Sequence, residues 1–263
     1  MKAYWSVFRA RFTVQLQYRA AAAAGLVTQA FWGLLRVMVL EAFYRSAEAV
    51  PPLSLPEAIT YTWLGQCLFR LIFLSPDPEV REMMRAGTVA YEMARPVDLY
   101  AFWLSRALAD RIVPTVLRAV PMAVLATVFF GMQFPPSLGA LGAWALALVG
   151  ALFLSAAISV LLTVSLLWTI AGEGITRLVP AVALFLSGLY IPLPLFPEWC
   201  QPVFDLLPFR GLGDLPFRLY TGHLPPEAVF SVILRQWVWI GVFVLLGRSA
   251  LRQGMRRLVV QGG

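Results

Sequence analysis

Residues Leu138 to Ala171 run for 34 positions without one charged side chain. They also contain no Pro, Asn or Asp to make a turn. Inside a bilayer every backbone polar group must be satisfied within the chain, so such a block is a helix or part of one. A break into two short spans would leave a lipid-facing turn with unpaired backbone groups, which argues for one long helix. Composition agrees. Of 263 residues 60% are hydrophobic and 13% are charged, with a mean hydropathy of +0.74. A soluble domain carries about a quarter charged residues.

Five further apolar blocks accompany this one: Ala20 to Tyr44, about Ile59 to Leu74, about Ile112 to Gly131, about Ile175 to Leu195, and about Ala228 to Leu246. The expected fold is all-α: a polytopic membrane protein with six transmembrane helices in a single transmembrane domain, 1–263. The positive-inside rule orients it. Lys2, Arg9, Arg11 and Arg19, then Arg81, Arg85 and Arg95, then Arg177, then Arg248, Arg252, Arg256 and Arg257 make twelve on one side. Only Arg45, Arg210 and Arg218 fall on the other. Both termini are therefore expected in the cytoplasm. No signal peptide is expected, because Arg9, Arg11 and Arg19 interrupt the N-terminus; the first span would act as the targeting signal. In 1–19, Tyr4, Val7, Phe8, Phe12 and Leu16 recur at helical spacing between arginines. They read as an amphipathic helix in the membrane interface, or as an extension of the first span.

The segment 76–98, "PDPEVREMMRAGTVAYEMARPVD", holds eight charged residues in 23. Asp77-Pro78-Glu79 is a helix start: a capping residue, Pro in the first turn, and an acid at the positive end of the dipole. Gly87 is a natural stop. The helix between is about nine residues, too short to stand alone in water. Val80, Met83 and Met84 make a small apolar face rimmed by Glu79, Arg81, Glu82 and Arg85. That face docks either on a protein partner or on the chain's own helices and the membrane. The candidate partner-contact residues are Val80, Arg81, Met83, Met84, Arg85 and Gly87.

Charges inside the spans are costly, about 2.5–3.5 kcal/mol each on insertion scales. Arg36, Glu41 and Arg70 are the candidates for a pathway or for pairing within the membrane. Glu41 and Arg45 at i, i+4 would snorkel together, and Arg70 would snorkel toward the insert. Arg106 and Asp110, also at i, i+4, read as a structural clamp. Gly142, Gly150, Gly188, Gly241 and Gly247 are places where helices would approach closely.

Between the last two spans, 196–227 is too apolar for a solvated loop and too broken for a span. It reads as a short re-entrant helical pair at the outer face, or as a lipid-anchoring surface loop. Pro192, Pro197, Trp199, Pro208 and Phe209 mark it. "LPFR" occurs twice, at Leu207–Arg210 and Leu215–Arg218, and reads as coincidence.

The order of these features resembles the permease subunits of type-2 ABC exporters, more closely the bacterial branch of ABC-2 family transporter proteins. The matching features are the short helix with Gly87, Arg95 and Pro96 before span three, and "LFLSGLYIPLPLFPEWCQPVFDLLPF" after span five. The resemblance covers nearly the whole chain. It implies a cytoplasmic coupling helix that meets a P-loop ATPase subunit, with ATP and Mg on that partner and none on this chain. It also implies a second permease, identical or related, and a place in the bacterial inner membrane among its lipids.

The residue inventory fits a non-catalytic subunit. The only lysine is Lys2, and a P-loop requires one. Two cysteines, Cys67 and Cys200, and one histidine, His223, are too few for a closed metal site, and their placement argues against a mutual disulfide. No nucleic-acid partner is expected. An ion-driven secondary transporter would show internal repeats and intramembrane acids. A membrane-embedded lipid-modifying enzyme would show clustered acids, His or metal ligands. Neither pattern is present.

Overall fold

The computed structural model describes residues 2–17, 19–48, 50–93, 95–168 and 173–256; for 2, 3, 15–17, 19–23, 93 and 173 it gives the backbone alone. The described residues form helices with no strand. The helices are α1 Lys2–Gln17, α2 Arg19–Ser46, α3 Leu55–Cys67, α4 Phe69–Ile72, α5 Pro78–Arg85, α6 Val89–Met93, α7 Leu99–Phe129, α8 Leu138–Ser165, α9 Glu173–Leu186, α10 Gln201–Leu206, α11 Asp214–Thr221 and α12 Val229–Met255, with 3-10 turns between α9 and α12. The side chain of Leu16, together with Met1, Tyr18 and Arg257, lies outside the described residues.

Among the described residues, four segments are long and apolar enough to cross a membrane: Ala24–Ser46, Leu99–Phe129, Leu138–Ser165 and Pro226–Met255. The second expected span is shorter. α3 begins at a capping box, Ser54 with Glu57, and ends at Leu68, where the chain breaks into the single turn of α4. The fifth is also short, because α9 has 14 residues before the Pro-rich stretch. The uncharged block is one continuous helix to Ser165, as its lack of turn residues requires. The third expected span starts thirteen residues early, at Leu99 rather than Ile112. Its first turns carry Arg106, Asp110 and Arg111, which depress local hydropathy without ending the helix.

α8 is the central helix. Of its apolar segment 61% is buried within the chain, against 17–22% for the other three. Ala143, Ala147, Gly150, Ala151, Ala156 and Ala157 give it a narrow profile that lets neighbours approach closely. Gly150 faces the Gln236 side chain of α12, and Gly247 faces Tyr100 of α7. Gly142 and Gly241, also expected at close contacts, have no described neighbour within 4 Å. Around α8, Trp63, Leu64, Ile72, Met122, Leu154 and Phe217 fill the main core. The outward faces of α2, α7 and α12 stay apolar, with Phe31, Met38, Val120, Val128, Phe230 and Leu234 exposed. Such continuous apolar surface belongs in lipid or against another membrane subunit.

Two ends of the bundle can be distinguished. At one, α1, the 76–98 insert, and the adjoining ends of α7, α8 and α12 meet around Val80, Tyr100, Trp103, Val164 and Leu251. Tyr4 and Val7 of α1 pack on this cluster, so the N-terminal helix is held against the bundle. At the other end, α10, α11 and the 3-10 turns fold over the starts of α8 and α12.

Candidate functional site

The insert forms as its residues dictate. Asp77 caps α5, its carboxylate accepting from the backbone N–H groups of Glu79 and Val80, and Gly87 ends the turn at φ +71°. An eight-residue helix of this kind needs an external anchor. The anchor is Arg106 on α7, whose side chain is only 4% exposed. Its Nη1 donates to Glu92 Oε1 at 3.1 Å, and its Nη2 donates to Glu79 Oε2 at 2.8 Å and Asp77 Oδ1 at 3.1 Å. Nε lies 2.9 Å from Asp77 Oδ2, off-axis for a hydrogen bond, and so contributes as an ion pair. Trp103 Nε1 donates to the second Glu92 oxygen at 2.9 Å. Arg11 of α1 pairs with Glu79 from the solvent side. Three acids of the insert thus converge on one buried guanidinium.

This corrects the expected Arg106–Asp110 clamp. Arg106 turns away from its own helix because the insert supplies three carboxylates, two of which, Asp77 and Glu92, are shielded from solvent.

A second set of bonds continues inward along α8. Ser155, Ser159 and Thr163 recur every four residues on one face. Thr163 accepts from Asp77 N at 2.9 Å, and Ser159 accepts from Ser75 N at 3.3 Å. Ser155 donates to Leu71 O at 2.6 Å. Arg111 of α7 donates to Ser155 at 2.8 Å and also to Ser159. The insert is therefore joined to both α7 and α8.

Of the residues expected at a partner contact, Val80 is fully buried in the bundle. The insert's apolar face rests on the chain's own helices, and Val80 seats the insert. Met83 and Met84 are half-buried at the edge of the same cluster, as is Arg81. Arg85 and Gly87 are exposed. Tyr91, which sequence reasoning missed, is 78% exposed on the same segment.

The three intramembrane candidates do not come together. Arg36 donates to Leu189 O at 3.2 Å and lies over the Tyr190 ring, which ties α2 to the segment after α9. Glu41 and Arg45 face each other at 3.6 Å, largely exposed. Arg70 sits on α4 near Asp110 and Arg118.

At the opposite end, Asp214 is completely buried. It accepts from Tyr61 Oη at 2.9 Å and Arg210 Nε at 2.6 Å, with Arg218 at 3.8 Å. Both "LPFR" arginines thus reach the carboxylate that stands four residues from each. Arg210 and Arg235 also share Asp205, each at 2.8 Å. Pro192 and Pro208 are buried, Phe209 is partly buried, and Pro197 and Trp199 are exposed. The free thiols Cys67 and Cys200 belong to α3 and to this end respectively. A cavity of about 830 Å³ opens here, lined by Phe196, Asp205, Arg210, Arg218, His223 and Arg235 among others.

The sequence model described as ABC-2 family transporter protein matches residues 30–262. The chain belongs to that family. No curated protein sequence matches it. Family members are membrane components of transporters, and both the insert with its anchor and the hairpin fall within the matched residues.

Replacing Arg106 with Gln leaves the buried carboxylates of Asp77 and Glu92 without their main counter-ion, while the exposed Glu79 keeps Arg11. Breaking a buried pair costs about 3–5 kcal/mol. Arg106→Gln is expected to lower the melting temperature and to speed tryptic cleavage at Arg81 and Arg85; wild-type cleavage rates would contradict the anchor.

The hairpin carries a pH signature. Burial raises the Asp205 carboxyl, but the hydrogen bond from Arg235 and the charge of Arg210 outweigh it, leaving the group below its ordinary 3.8. Burial, and then the charge of Arg218, lower His223 below its ordinary 6.5. Both groups bind fewer protons folded than unfolded, so their stabilisation is complete above the ordinary value and is lost as pH falls through the depressed one. Thermal melts from pH 7.5 to 3 are expected to fall in two steps, with His223→Asn removing the upper one. An upper step that persists in His223→Asn would contradict the assignment.

Proposed function

We propose that this chain is the membrane-spanning permease subunit of an ATP-binding cassette exporter, and that a separate P-loop ATPase subunit hydrolyses ATP and drives it. The observation that carries this reading is the anchored insert: a short charged helix at one end of the bundle, tied by Arg106 to the longest helix and by Thr163 to the central one. Force applied to such a helix passes into α7 and α8 without first being spent on bending a loop. In this reading the chain crosses the bacterial inner membrane six times, the shorter α3–α4 and α9 making the second and fifth passes. The insert and both termini face the cytoplasm, as the arginine distribution favours. The chain is non-catalytic and holds no cofactor; ATP and Mg belong to the partner. A second permease, identical or related, covers part of the exposed apolar surface.

The ATPase-facing residues are the exposed rim of the insert: Arg81, the edges of Met83 and Met84, Arg85, Gly87 and Tyr91. Exposed aromatic and arginine side chains at such a rim suit an interface hot spot. ATP-driven closure of the partner subunits would press on α5, shift α7 and α8, and open a path on the hairpin side.

A tagged copy is expected to co-purify a P-loop ATPase. Arg85→Glu combined with Tyr91→Ala should weaken that association about tenfold or more while the protein stays folded. Undiminished association in the folded double variant would contradict the assigned contact.

A further inference from the structure

Where α2 and α4 lie against α7, the described residues bring together more guanidinium groups than carboxylates. Arg70 of α4 and Arg118 of α7 lie within electrostatic reach of each other, and both lack a hydrogen-bond acceptor among the described residues. Arg118 Nε is shut off from solvent and has no partner. Its guanidinium lies against α2, where a Cβ added at Gly25 would stand 2.9 Å from Cζ. Arg111 lies within reach of Arg70 and Asp110. Arg70 and Arg111 therefore share one carboxylate, Asp110, and Arg118 adds a third guanidinium beside Arg70.

The neighbouring neutral groups are also short of partners. Gln66, one turn before Arg70, is buried with Nε2 unsatisfied, and Thr115, beside Arg111 and Arg118 on α7, is buried with Oγ1 unsatisfied. Unmatched donors and like charges are both costly away from water. Arg118 stands twelve residues past the insert anchor Arg106, about 18 Å along α7. Arg70 and Arg118 are each partly exposed, which leaves a way in.

We propose that this seam binds a phosphate-class anion, carried on an amphiphile or free in solution, with Arg70 and Arg118 as its main ligands. A phosphate offers several acceptor oxygens to planar guanidinium forks, which pair with it through two hydrogen bonds at once. Gln66 Nε2 and the Thr115 hydroxyl supply further donors. That the anion marks the class of cargo rests on the exporter reading. The binding itself does not, and it is measured on the permease alone without any ATPase.

The test uses purified protein in a zwitterionic detergent, titrated with dihexanoyl phosphatidic acid, inorganic phosphate, and dihexanoyl phosphatidylcholine as the control. Wild type is expected to bind at least one of the first two, and Arg70→Gln and Arg118→Gln should each weaken that binding about tenfold or more. Phosphatidic acid binding alone identifies an amphiphile as the source; phosphate binding alone identifies the free ion. Without anion both variants should melt within a few degrees of wild type, since neither arginine donates a hydrogen bond to a described residue. Binding of neither probe, or equal binding by wild type and both variants, would overturn the proposal. So would variants that fail to fold without anion, because the arginines would then have structural partners within the chain.

Discussion

One buried guanidinium holds the insert end of this protein together. α5 has eight residues and α6 five, too few to persist as free helices in water. What fixes them is Arg106, offered by a helix that is otherwise membrane-spanning and met by Asp77, Glu79 and Glu92. The arrangement is mutual. Without the acids a guanidinium 4% exposed would be an uncompensated charge; without the guanidinium the acids would repel one another. Asp77 does more than one task here. Its carboxylate caps α5 and meets Arg106, while its N–H donates to Thr163 of α8. A single residue thus joins the insert to two helices of the bundle.

The far end is built on the same principle with the signs exchanged. There a buried acid, Asp214, gathers Arg210, Arg218 and Tyr61. Tyr61 belongs to α3, so this cluster fastens the hairpin to the interior. Between the two clusters runs α8, which carries Ser155, Ser159 and Thr163 toward the insert and accommodates Gln236 of α12 through Gly150 nearer the hairpin. Gln236 in turn donates to Ala147 O at 2.9 Å and Gly211 O at 2.8 Å, connecting α8, α12 and the hairpin. The insert and the opposite end are therefore joined by a continuous packed route through α8.

Local rules carried much of the reading. Asp77, Pro78 and Gly87 signalled the start and stop of α5 through chemistry confined to a few residues, and the uncharged block signalled one helix through the absence of any turn former. Long-range partners were out of reach. Arg106 and Asp110 have suitable i, i+4 spacing, but three acids 14 to 29 residues earlier in the chain are better placed, and no periodicity reveals them. Arg111 likewise hid the first turns of α7, because its partners are hydroxyls on α8. The Met83 and Met84 face was legible as apolar, but which surface it meets depended on the bundle. Tyr91 carried no pattern of its own, and only its exposure in the fold marks it out. The family resemblance supplied an expectation that local physics could not: that this short helix meets an ATPase.

The central claim is that the insert moves as one body with the bundle because Arg106 locks it there. The most direct measurement is the distance distribution between spin labels on cysteines placed at Glu82 and Gln253, both exposed at the insert end, in a background with Cys200 replaced. A single narrow distribution that broadens when Arg106 is changed to Gln is the predicted result. A distribution already broad in the wild type, or one equally narrow without Arg106, would contradict it.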